Sequence, residues 1–196
     1  MNIRQVSTRL ARAVGVAVFT VSLFGCASVK LTTPNASGET VQTLRSANIA
    51  PAKAGKFTLA AGKAASMDTN LDGLRGSSMT PNDGTFSNDL RNVIVTDLKA
   101  AGLYDESSGA VIEAQLTDSR VDAAIGTGAG RLAAHFTVTR AGSKVFDKDL
   151  AVESKWESSF IGGIAIPTAM QQYGALYQAL ANKLFQDPDF RAALAR

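Results

Sequence analysis

Apolar residues recur along this chain at two spacings, and the changes from one to the other divide it into elements. In Lys56-Phe57-Thr58-Leu59-Ala60 the large side chains Phe57 and Leu59 fall on one side at period two, which predicts a strand. From Phe86 the spacing lengthens, and Phe86, Leu90, Val93, Ile94, Leu98 and Ala101 form one stripe of a helix. Thr85 or Ser87 can cap its start, Asp89 suits its positive end, and Gly102 follows its last turn. Period two then returns in three runs. Ala110, Ile112, Ala114 and Leu116 alternate with Val111, Glu113, Gln115 and Thr117. Leu132, Ala134, Phe136 and Val138 alternate with Arg131, His135, Thr137 and Thr139. Phe146, Leu150, Val152 and Trp156 alternate with Asp147, Asp149, Glu153 and Lys155. Arg140-Ala141-Gly142-Ser143 is short enough to be a hairpin between the last two, so the three read as an antiparallel meander with one dry face.

Pro167 suits the first turn of a second long helix, whose buried stripe is Met170, Tyr173, Leu176, Tyr177, Leu180 and Leu184. Asp187-Pro188 ends it and starts a short tail helix carrying Phe190 and Leu194. The order β-α-β-β-β-α predicts an α+β fold, a two-layer sandwich in which two helices cover the dry side of an antiparallel sheet.

Four stretches lack a period. Residues 27–51 are mostly Ser, Thr, Asn, Ala and Lys, a composition that cannot offset its ordering entropy, and read as a flexible tether with a short strand at Val41 to Leu44. Residues 62–84 read as one long polar loop. Within it Asp68, Asn70, Asp72 and Gly73 match the opening of a calcium loop, but the twelfth position is Met79 where a carboxylate is required, leaving a solvated Asx-rich turn. Gly126-Thr127-Gly128-Ala129-Gly130 links two strands, unlike a phosphate loop, and reads as a flexible hairpin tip open to a partner. Residues 158–167, the most apolar segment after the leader, read as a connection that holds the loop Phe160 to Ile166. Its Phe160, Ile161, Ile164 and Ile166 either tuck under the following helix or form an exposed patch, and an exposed patch marks binding.

The chain opens with Arg4, Arg9 and Arg12 ahead of an apolar run, Ala13 to Phe24, that is well short of the ~20 residues needed to span a bilayer. This is the order of an export signal. Leu23-Phe24-Gly25-Cys26 resembles the lipobox of bacterial lipoproteins. The resemblance implies cleavage before Cys26, acylation of Cys26 and, with Ala27 next, forwarding to the outer membrane. The expected organisation is a signal peptide over 1–25, a tether over 26–50 and one periplasmic α+β domain over 51–196.

Charge and cysteine content narrow the classes further. Of the 20 basic residues three precede Cys26, so 17 remain against 17 acidic ones. The mature chain is therefore near neutral, and no basic stripe is left for a nucleic acid despite the sequence pI of about 9.1. The single cysteine is the one in the lipobox, so no internal disulfide can form. The single histidine, His135, falls on the wet face of its strand without a partner histidine or free thiol for nucleophilic or metal chemistry. No catalytic residue, metal site or cofactor is expected. Trp156, Tyr173 and Tyr177 could box an apolar ligand between sheet and helix, though their spacing equally suits a core.

With these elements in order, the chain resembles small outer-membrane lipoproteins of the YajG type. The likeness rests on the helix ending Ala100-Ala101-Gly102-Leu103-Tyr104, the alternating strands and Asp187-Pro188-Asp189-Phe190. The same order is similar to that of the lipopolysaccharide-assembly lipoprotein. The YajG-type resemblance implies a lipoprotein held in the outer membrane through Cys26, and the apolar loop Phe160 to Ile166 with the glycine hairpin points to a non-enzymatic, periplasm-facing role with a protein or lipid partner in the envelope. The alternatives are a binding module for an apolar ligand such as a lipid, and a cell-wall glycan hydrolase using two carboxylates.

Overall fold

Strand periodicity carries further than the sequence suggests, and it builds one twisted sheet under a layer of helices. The computed structural model describes residues 28–32 and 35–196; the leader, the lipobox and Cys26 lie outside the described residues. Among the described residues twelve elements follow one another: β1 (Ser28–Lys30), α1 (Gly38–Ser46), β2 (Lys53–Leu59), α2 (Ser66–Thr69), β3 (Leu71–Leu74), β4 (Ser77–Thr80), α3 (Phe86–Ala101), β5 (Ala110–Asp122), β6 (Gly126–Arg140), β7 (Ser143–Ser158), α4 (Gly162–Gln186) and α5 (Pro188–Ala193).

The main sheet runs β2-β5-β6-β7. The dry side of the three long strands is the one their alternation predicts. Ile112, Leu116, Leu132, Ala134, Phe136 and Val138 are at most 1% exposed. They pack under α3 and α4, whose stripes, Phe86 to Leu98 and Tyr173 to Leu184, are at most 3% exposed. Edge-to-face ring pairs fill the core within the sheet (Phe57 with Phe136), within the helix layer (Phe86 with Tyr173) and between the two (Phe146 with Phe190). The two-layer α+β sandwich is thus formed, with one difference in the sheet. β5, β6 and β7 are antiparallel, whereas β2 pairs with β5 in parallel. The chain between them crosses over the helical face through α3, and a strand that returns by such a crossover enters the sheet in the same direction.

The aperiodic stretches are ordered in ways their composition hides. The expected tether carries α1, capped by Ser37 Oγ accepting from the Thr40 N–H at 3.4 Å. Val41 to Leu44 is therefore helix, not strand. Leu31, Leu44 and Ile49 are each 1% exposed, and α1 docks on α3 and α4. Burying these three side chains supplies what a polar segment of this length lacks by itself. The expected long loop of residues 62–84 contains α2 and the hairpin of β3 and β4, and β1 adds in parallel to β4 to complete a second sheet, β1-β4-β3. Asp68, read above as part of a solvated turn, is 6% exposed and accepts from the N–H of Ser87 at 2.6 Å and its hydroxyl at 2.9 Å.

The glycine run is not a hairpin tip. Residues 126–130 are the first turn-free length of β6, paired with residues 154–158 of β7. A Cβ on Gly128 would lie 2.3 Å from the indole of Trp156, so glycine is required there for the ring to lie flat across the strand. The segment 160–166 is not a simple connection either. α4 begins at Gly162, and Pro167 lies inside it.

Candidate functional site

The β3–β4 hairpin turns on two residues with positive φ, Arg75 (52°) and Gly76 (86°), the backbone of a tight hairpin turn. This turn aims the Arg75 side chain at two other loops. Its Nε donates to the carbonyl of Ala123 at 2.6 Å, in the β5–β6 turn. Nη1 donates to the carbonyl of Phe160 at 3.0 Å, and Nη2 to the Ser159 carbonyl at 2.6 Å and Ser158 Oγ at 3.2 Å, where β7 passes into α4. A guanidinium presents five donors in a rigid fork, so one side chain holds three main-chain carbonyls from two loops in fixed relation.

What the clamp displays is apolar. Ile125 in the first loop is 73% exposed, Phe160 in the second 77%, and Ile161 and Ile164 at the start of α4 are 48% and 54%. Of the exposed large apolar side chains among the described residues only Val145 lies elsewhere. Ile125, Phe160 and Ile164 line a depression of about 500 Å³ with Gly126, Glu157, Ser158, Ser159 and Thr168. A cluster of this kind on a folded surface marks an interaction site.

The residues expected to bind separate into two groups. Phe160, Ile161 and Ile164 meet at this tip, and Ile125 joins them from a loop the sequence reading passed over. Ile166, Trp156 and Tyr173 turn inward. Ile166 and Trp156 pack on the core, and Tyr173 is fully buried with its hydroxyl 2.7 Å from Ser119 Oγ and 3.2 Å from the hydroxyl of Tyr177. Burial pushes both tyrosine hydroxyls above the usual phenol range. The layer between sheet and helix is filled there, because Leu176 and the Trp156 ring close over Gly130. An apolar groove of about 530 Å³ lies instead on the outer flank of α4, lined by Thr32, Pro167, Met170, Gln171, Gly174 and Ala175.

The open face of the sheet is a ladder of opposite charges. His135 stands as expected on this face, with Nε2 2.5 Å from Asp147 and Nδ1 3.0 Å from Asp149. Arg131 bridges Asp118 at 2.9 Å and Glu153, and Lys144 pairs with Asp147 at 2.6 Å. The hydrogen bond from Lys144 lowers the Asp147 carboxyl below its usual range. The buried carboxylates of Asp68 and Asp89 are engaged locally, Asp89 accepting from the Asn82 and Asp83 main-chain N–H groups. Among the described residues no three His, Cys, Asp or Glu side chains gather closely enough to hold a metal ion, and no helix is long and apolar enough to cross a membrane.

No family model and no curated protein sequence matches the chain. Its fold is similar to that of protein XCC0632 from Xanthomonas campestris, of the family DUF330, at a TM-score of 0.57 and 11% identity over 85% of this chain and 96% of that one. Weaker likenesses are to a protein from Caulobacter crescentus (TM-score 0.43, 14% identity, 79% of this chain and 93% of that one) and to a minor lipoprotein from Acinetobacter baumannii (0.37, 16%, 72% and 90%). At such identity the first likeness establishes a shared fold and no shared activity.

Proposed function

We propose that this chain is a lipid-anchored accessory protein of the bacterial cell envelope, as the lipobox and the YajG-type resemblance imply, facing the periplasm from the outer membrane and working by binding, not catalysis. The observation that carries this reading is the junction between anchor and body. Cys26, at the end of the lipobox, stands two residues before Ser28, where β1 is already hydrogen-bonded to β4. Leu31 then enters the core at 1% exposure. No spacer separates the acylation site from the domain, so the body is held against the bilayer and within reach of other membrane-bound proteins. The expectation of a tether that lifts the domain away is set aside.

Labelled palmitate is expected to incorporate into the wild-type chain and not into Cys26→Ser, which should leave the membrane fraction. Crosslinking in intact cells followed by copurification should recover an envelope protein; recovery of the monomer alone under all conditions counts against the binding role. The groove beside Thr32 and Met170 supports a second reading, a module that carries an apolar ligand such as a lipid. Mass spectrometry of the purified protein would then find a retained lipid.

A further inference from the structure

We infer that the tip formed by Ile125, Phe160, Ile161 and Ile164 is a membrane-inserting surface, which seats the domain in the lipid interface beside its own anchor. The inference rests on the anchoring proposed above and adds which face of the domain meets the lipid. β1 runs parallel to β4, with Ser28 opposite Ser78 and Lys30 opposite Thr80. β4 starts at Ser77, directly after the Arg75–Gly76 turn. The chain therefore enters the domain at the end where Arg75 grips Ala123, Ser159 and Phe160. Two residues span at most about 7 Å, so Cys26 cannot leave the neighbourhood of Ser28. Acyl chains on Cys26 and the exposed apolar side chains thus lie at one end of the molecule. The Arg140–Ser143 hairpin, with the exposed Val145 after it, lies at the other end of the same strands.

The clamp also suits the loops to a lipid surface. Irregular backbone at a membrane boundary loses the water that would satisfy its carbonyls, and an unpaired carbonyl there is costly. Arg75 supplies protein donors to the carbonyls of Ala123, Ser159 and Phe160. The Ile161 N–H is likewise held, by Ser159 Oγ at 3.1 Å. Both loops can present large apolar side chains while their main chain stays paired. A protein partner on this tip would have to displace the bilayer to which Cys26 ties it; a lipid surface is already there.

The test uses the full-length acylated protein in vesicles of phosphatidylethanolamine and phosphatidylglycerol. Cys26 is the only native cysteine and is blocked when acylated, so Phe160→Cys, Ile164→Cys and, at the far end, Val145→Cys each carry one environment-sensitive fluorophore. All three positions are exposed, so the labels leave the core intact. The fluorophore at 160 and 164 is expected to shift to the blue and to be quenched several-fold more than at 145 by nitroxides on the lipid acyl chains. Equal quenching at the three positions overturns the inference. A blue shift without lipid quenching also overturns it, since a protein then covers the tip, a second copy if the shift grows with protein concentration. Mass analysis of the N-terminal peptide separates the two proposals: an acylated Cys26 with an unquenched tip removes only this inference, and an unmodified Cys26 removes both.

Discussion

The Arg75 guanidinium and the Phe160 carbonyl, 85 positions apart in sequence, are 3.0 Å apart in space, and through this bond the small sheet fixes the apolar tip of the large one. Replacing Arg75 by Ala removes four donated hydrogen bonds from a half-buried cation. With partial re-solvation of the freed carbonyls the expected loss is about 2–3 kcal/mol, read as a lower urea midpoint. Arg75→Lys is expected to recover little of it, because an ammonium cannot reproduce the fork. Limited proteolysis should at the same time begin at residues 158–161.

Leu44 tests whether α1 belongs to the domain. A flexible tether would tolerate Leu44→Ala without effect. Because Leu44 is 1% exposed and joined to the common core, the truncation is expected to cost about 2–4 kcal/mol in a single cooperative transition.

Gly128→Ala places a methyl within 2.3 Å of the Trp156 indole, where overpacking costs about 1–3 kcal/mol. Trp156 is the only tryptophan, so its emission and near-ultraviolet dichroism report the displaced ring directly. Gly142→Ala meets no neighbour, and its cost should come from the backbone at φ 79° without any change in the tryptophan signal.

Asp97 gives a pH dependence of defined sign. It is 0% exposed on α3 beside Gln178 and the Ser37 main chain, and burial pushes its carboxyl from 3.8 up to about 6, against smaller opposing effects of those two groups. The folded chain therefore binds more protons than the unfolded chain between about pH 4 and 6. This carboxyl's penalty is absent below that window and grows as pH rises through it, reaching about 3 kcal/mol at neutral pH. Asp97→Asn is expected to be more stable than wild type at pH 7 and to converge with it near pH 4. Urea midpoints of the two proteins across this range measure the difference and cancel the contributions of other carboxylates.

The long periodic elements were legible because one physical signal, a continuous apolar face, governs each. Phe86 to Ala101 has its predicted bounds, its Thr85 cap with Oγ 3.1 Å from the Asn88 N–H, and its stop at Gly102. The hairpin at residues 140–143 likewise forms where its turn residues place it. The short elements were illegible for the opposite reason. α1 buries only Thr40 and Leu44, and β3 and β4 bury only Leu71, Leu74 and Met79, too few positions to make a period. The parallel pairing of β2 could have been found, since a strand, a helix on the dry face and a second strand make a crossover unit. The tip was half legible: its apolar residues were evident, but their exposure depends on Arg75, whose partners are all distant in sequence. An Arg-Gly pair between short apolar-ended runs was the available signal for that turn.

Ile49 pairs across the molecule with Ala195, the Ala50 N–H reaches the Leu194 carbonyl at 2.7 Å, and Arg196 reaches the carbonyl of Ile49 at 3.0 Å. β2 for its part waits for β5. A chain knitted from contacts so remote in sequence has high contact order and folds slowly. The segment at residues 49–50 has its partner only once residues 194–196 are made, whereas β1 and α1 find β4, α3 and α4 earlier. On the proposal that Cys26 is acylated, the stretch around it would meet the processing machinery before residues 190–196 close the body, and the domain would complete its structure already tied to the lipid.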